Sequence, residues 1–301
     1  MSVHAWTITL VWLDIAGMAT ATGSLLSPLW LFPTGSGRVD RRLFGLSLTL
    51  LCITTLGLLW ARTVVMSGMP WEGALPSAPL VLGQTHFGHV WEWRLGILAT
   101  AWLAWWRWGR AQENNRGLLL FTLFLITALA FTRSASGHPA DQGDFTLREF
   151  NDWLHLMAAA VWTGAVMVSA LVLFPLLRDH RAPADGVWIP SIRRLSNLAG
   201  IALVLALATG VFNAWWALPA FADLWTTDYG RLLLVKLALV AVLILFGAVN
   251  RYHFLPGLRA GGDAPRLHRH FAMSLILESL VMIAAMNVIA QLTQGVPPKT
   301  Y

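Results

Sequence analysis

Two of the nine histidines in this 301-residue chain stand where imidazole is costly to place. His138 occupies a Gly-His-Pro turn just past one apolar run, and His155 lies about one and a half turns into the next. An ionisable side chain in or beside hydrocarbon is disfavoured unless it is paired or does work. Two such residues brought to one mouth by a short loop predict a metal or proton site at a membrane surface. His86 and His89 head another apolar run three residues apart, so they share a helix face if that helix begins early. Imidazole suits several transition metals, and the thioethers of Met66 and Met69, at the same surface, would add a preference for Cu(I). Against each stands a plainer role. His4 reads as an interfacial, hydrogen-bonded residue, and methionine is ordinary packing material in a helix. His180, His253, His268 and His270 lie among arginines on the opposite side and read as solvated.

The elements that must hold these side chains are membrane helices. The chain is 56% hydrophobic and 12% charged, about half the charged fraction of a soluble domain. Eight apolar stretches are long enough to cross ~30 Å of hydrocarbon as helices. They fall near Trp6–Phe32, Arg42–Val65, Val90–Trp106, Gly117–Thr132, Asn151–Leu177, Ser196–Leu218, Arg231–Asn250 and Phe271–Thr293. The alternating pattern of an outer-membrane barrel is absent. The expectation is all-α, a polytopic single transmembrane domain over residues 1–301.

Basic residues set the orientation. Arg38, Arg41 and Arg42; Arg107, Arg110 and Arg116; Arg178, Arg181, Arg193 and Arg194; and Arg251, Arg259, Arg266 and Arg269 all follow odd-numbered spans. They make up fourteen of the twenty-one Lys and Arg residues, and the positive-inside rule makes that side cytoplasmic. Both termini are therefore expected in the periplasm. The net charge of +6 comes from these loops, so it argues for lipid headgroups and not for a nucleic-acid partner. The first apolar run has no basic n-region or small-residue cleavage site and reads as a retained span. The single cysteine, Cys52, offers neither a disulfide nor a thiolate cluster within one chain.

The chain also reads as duplicated. Leu31-Phe32-Pro33 recurs as Leu173-Phe174-Pro175, and Thr85-x-Phe87-Gly88 recurs as Thr227-x-Tyr229-Gly230, both at an offset of 142 residues. A basic residue and Leu then follow in each copy, Arg94-Leu95 and Lys236-Leu237. Arg41-Arg42-Leu43 matches Arg193-Arg194-Leu195 at a slightly larger offset. The pattern predicts a parallel four-plus-four repeat with halves near 1–133 and 150–293, and sites often lie at such repeat interfaces. In this register Leu13 corresponds to His155, so the halves are not equivalent. Four further charged groups fall inside spans: Asp14, Arg94, Lys236 and Glu278. Asp14 is expected to pair with Arg94 or Lys236, and Glu278 with Asn197, Asn250 or Arg251. Trp162, two turns below His155 on the same face, is expected to wall its site.

Gly137-His138, followed by Asp152-x-x-His155-x-x-Ala158-Ala159-Ala160-x-Trp162-x-Gly164, resembles the membrane family of copper resistance protein D. So do Arg193 to Ala199 (RRLSNLA), Thr209-Gly210-x-x-Asn213, Tyr229-Gly230-Arg231-x-Leu233-x-x-Lys236-Leu237, Asn250-Arg251 and Glu278. The resemblance covers most of residues 85–293; the first two helices match in character only. It implies a bacterial inner-membrane protein of eight spans that moves or handles copper, beside a separate periplasmic copper-binding protein. It also implies His138 and His155 as copper ligands, with Trp162 beside them; His86 and His89, read from their spacing alone, are expected as metal ligands of an entry site. No appended soluble copper-binding domain or methionine-rich segment is evident. No enzyme activity is expected. The competing functions are a b-type, haem-carrying electron-transfer protein, with His89 and His155 as its best axial pair, and an assembly or sensor protein that only helps metallate a neighbour.

Overall fold

The computed structural model describes residues 2–33, 37–110, 115–137, 143–178, 188–260, 264–295 and 298. Among them there is no strand. Eight long helices carry the fold: α1 (Val3–Leu26), α2 (Gly37–Ser67), α4 (His86–Arg110), α5 (Arg116–Ser134), α6 (Leu147–Arg178), α7 (Ile189–Ala217), α9 (Asp228–Val249) and α11 (Ala264–Gln294). Short helices α3 (Ala78–Gln84), α8 (Asp223–Thr226) and α10 (Leu255–Arg259) punctuate the connections. Seven of the long helices are long and apolar enough to cross a membrane by length and composition. The eighth, α4, has 25 residues and at ~1.5 Å per residue reaches about 37 Å. Its many tryptophans and the charges of Glu92 and Arg94 dilute its hydropathy. The chain is a polytopic all-α membrane protein, as its composition predicts.

The burial pattern separates central helices from lipid-facing ones. The most apolar stretch of α1 is 61% buried within the protein, whereas that of α9 is only 11% buried. Helix α1 packs on α2, α5, α6 and α11, and α6 packs on α5, α7 and α11. A central helix needs its polar groups satisfied internally, because no water reaches them. In α1 the hydroxyls of Thr20, Thr22 and Ser24 each donate to a carbonyl four residues back. Outward-facing positions such as Ile201, Val204, Val211 and Trp215 are apolar and exposed, which suits a lipid solvent.

Helices α1 and α6 meet backbone to backbone. A Cβ added at Gly23 would run into the Gly164 carbonyl, and one at Gly164 into the Ala19 carbonyl. Lipid tails give helices no hydrophobic reason to associate, so close approach through small residues is what drives their packing.

The two paired sequence motifs form like local structures. Thr85 and Thr227 both have extended backbone after a short helix, α3 and α8 respectively. Each threonine Oγ1 accepts from the glycine N–H three residues on, Gly88 at 2.9 Å and Gly230 at 3.0 Å. Each also donates back to a carbonyl of the short helix, Val81 or Asp223. A side chain at either glycine would strike the backbone of that helix, so glycine is required at both turns.

Candidate functional site

A cavity of about 660 Å³ opens at one end of the bundle. Its walls come from the starts of α1, α4, α6 and α9 and the ends of α2, α5, α7 and α11. That alternation is what eight successive passes require, and it puts Val3 and Gln294 at the same end of the bundle.

Two polar networks border the cavity, one from each half. In the first, the fully buried Asp14 accepts from Arg94 Nη2 at 2.6 Å, Arg133 Nη1 at 3.2 Å and Thr54 Oγ1 at 2.9 Å. The rest of the Arg94 guanidinium donates to Thr55, Thr132 and the Leu129 carbonyl. Of the partners expected for Asp14, Arg94 is the one found. In the second network, His155 Nδ1 lies 3.0 Å from Thr209 Oγ1, and its Nε2 lies 3.4 Å from Lys236 Nζ. A Cβ on Gly210 would stand only 3.1 Å from His155 Cε1, so the glycine after Thr209 makes room for the ring. One turn nearer the mouth, Asn213 donates to Asp152 and accepts from Asn151, at 3.4 and 2.7 Å. At the other end of the bundle, Asn250 donates to Glu278 at 2.8 Å and accepts from Ser274 at 2.8 Å. Asn250 was among the partners expected for Glu278.

The predicted site residues fare differently. His155 lines the cavity with Asp152 and Lys236. His138 lies outside the described residues; Ser136 and Gly137, just before it in the chain, line the cavity. Helix α4 starts at His86, so His86 and His89 share its first turn, but neither is among the lining residues. His86 Nε2 donates to the Ala135 carbonyl at 3.0 Å and sits 3.4 Å from Asp144. Trp162 does not wall the site. It packs in a core cluster with Leu31 and Phe32 of the first half and Leu275 of the second, because its position on α6 turns it toward the neighbouring helices. Met66 and Met69 are exposed. No group of three or more His, Cys, Asp or Glu side chains among the described residues is arranged to hold a metal.

Several lining residues were not singled out by sequence. The wall also includes Met18 and Met286 and the arginines Arg62, Arg133 and Arg148. The arginines did carry a signal, since they are basic residues on the side that the positive-inside rule keeps poor in cations.

A family model described as copper resistance protein D matches residues 189–292, and one described as copper resistance protein D-like, N-terminal domain, matches residues 1–146. The chain belongs to the copper resistance protein D family. Three curated relatives carry the likeness. It is 30% identical to the inner membrane protein YebZ of Escherichia coli over 67% of this chain and 63% of that one. It is 34% identical to the copper transport protein CutJ of Bacillus subtilis over 46% of this chain and 24% of that one. It is 28% identical to copper resistance protein D of Pseudomonas syringae pv. tomato over 75% of this chain and 74% of that one. The chain thus spans less than two thirds of the first two relatives. No solved structure matches it. As in this family, the chain is a multi-pass inner-membrane protein whose helices lie in the lipid bilayer.

Proposed function

We propose that this chain carries copper ions at the inner membrane, taking them into the cavity from the periplasmic side. The observation that carries this is a cavity wall that holds the half-buried imidazole of His155 and includes two methionines, Met18 and Met286. Imidazole and thioether together suit copper better than hard cations. Family membership supports copper as the cargo, as do the names of CutJ and copper resistance protein D. His155 and His138 are the primary ligands in this proposal. His86 and His89 form an entry site beside the cavity, and a separate periplasmic copper-binding protein delivers the metal. The four-plus-four duplication belongs to the same proposal, supported by the matching Thr-Gly turns before α4 and α9.

Both termini then face the periplasm. Reporter fusions are expected to read cytoplasm at Gly35, Glu113, Asp185 and Gly261, and periplasm at Pro76, Gln142 and Tyr301. A cytoplasmic C-terminus would move the cavity to the wrong side of the membrane for this role.

The haem alternative finds no support in the family models or the named relatives. Purified protein is expected to bind copper and to show no Soret band. A stoichiometric Soret absorbance, lost in His155→Ala, would replace copper carriage with electron transfer.

A further inference from the structure

The two halves carry a cation at matching sequence positions and treat it in opposite ways. Arg94 follows Gly88 by six residues in α4, and Lys236 follows Gly230 by six in α9. Arg94 is sealed: Asp14, Thr55, Thr132 and the Leu129 carbonyl hold its guanidinium, and none of the residue is exposed. Lys236 instead lines the cavity, and its ammonium lies 3.4 Å from His155 Nε2. An ammonium only donates, so Nε2 supplies the lone pair. Thr209 explains why that lone pair is there. Its hydroxyl proton goes to the Leu205 carbonyl at 2.7 Å, so its oxygen accepts from His155 Nδ1–H at 3.0 Å. A neutral imidazole protonated at Nδ1 presents a bare Nε2.

A metal ion bound at Nε2 would need the same lone pair, at ~2 Å. Nitrogen has one pair to give, and two cations a few ångströms apart inside a bundle repel strongly. We propose that Lys236 is a tethered stand-in cation. Its ammonium occupies the metal-binding nitrogen of His155 while the site is empty, and swings aside when copper takes that nitrogen. Asp152, which lines the same cavity within electrostatic reach, receives the displaced ammonium. The ammonium then pushes the metal off again, so Lys236 sets how long copper stays. This rests on His155 being a copper ligand. A purely structural Lys236 would affect folding but neither the reactivity of His155 nor its metal affinity.

The test uses the full chain in detergent, with Lys236→Met and, in case the apolar variant misfolds, Lys236→Gln. In the metal-free protein, carbethoxylation of His155, read by peptide mass spectrometry, is expected to rise several-fold in both variants as Nε2 is uncovered. Cu(I) affinity, measured by competition with a chromophoric chelator, is expected to tighten at least tenfold, with slower release. Unchanged His155 reactivity, or copper binding equal to or weaker than wild type, overturns the proposal. His155→Ala with Lys236 intact separates the two ideas. If it keeps wild-type copper affinity, the ligand assignment falls and Lys236 falls with it. If it loses affinity while both Lys236 variants bind as wild type, only the stand-in cation falls.

Discussion

Asp14→Leu is expected to remove most of the stability of the folded bundle. The carboxylate is fully buried and holds Arg94 at 2.6 Å and Arg133 at 3.2 Å. Removing one partner of a buried ion pair leaves an uncompensated charge and costs about 3–5 kcal/mol. Here two guanidiniums lose their counter-ion at once. Asp14→Asn keeps an acceptor for Arg94 and Thr54 but loses the charge, so an intermediate loss is expected. Replacing the cluster together, as Asp14→Leu with Arg94→Leu and Arg133→Met, should recover much of the loss, since well-packed apolar substitutes for a buried ion network are often neutral. Thermal unfolding in detergent, followed by tryptophan fluorescence, reads all three. An Asp14→Leu protein that melts with the wild type would show that the network does not hold the first half together.

His155→Ala and His138→Ala are each expected to drop copper accumulation and copper tolerance to the level of cells without the protein, at normal expression and membrane insertion. A lost metal ligand removes a coordinate bond that no neighbour replaces. A histidine that only hydrogen-bonds to Thr209 would cost stability in the ordinary mutational range of ~0.5–3 kcal/mol and leave transport standing. Whole-cell copper measured by mass spectrometry separates the two outcomes. Wild-type accumulation in both variants removes these histidines from the pathway. His86→Ala and His89→Ala should show smaller losses, as expected of an entry site outside the cavity wall.

Much of this was legible in the sequence because the bilayer simplifies the reading. Apolar length alone located the long helices, with α4 recognisable despite Glu92 and Arg94. The expense of an intramembrane charge pointed to Asp14, Arg94, Lys236 and Glu278, each of which has a polar partner in the fold. Side-chain direction was harder to read. Trp162 and His155 share an approximate helical face, yet one enters the core and the other the cavity, because four helices, α1, α5, α7 and α11, crowd around α6. The cations expected on the outward side were the neglected clue. Of the seven Lys and Arg residues outside the loops expected in the cytoplasm, Arg62, Arg133, Arg148 and Lys236 line the cavity, and Arg94 holds Asp14. Once orientation is assigned, the residues that break the positive-inside rule mark the polar interior.

The Gly23–Gly164 contact constrains how such a protein can work as a machine. In the proposed four-plus-four register Gly23 corresponds to Ala165 and Gly164 to Thr22, which would put the contact near an axis relating the halves. Backbones already touching leave no room to press closer, and sliding by one residue would drive a side chain into a carbonyl. What that geometry permits is rotation about the touching point, with the least displacement there and the largest at the bundle ends, where the cavity lies. Helices α1 and α6 thus form a fulcrum.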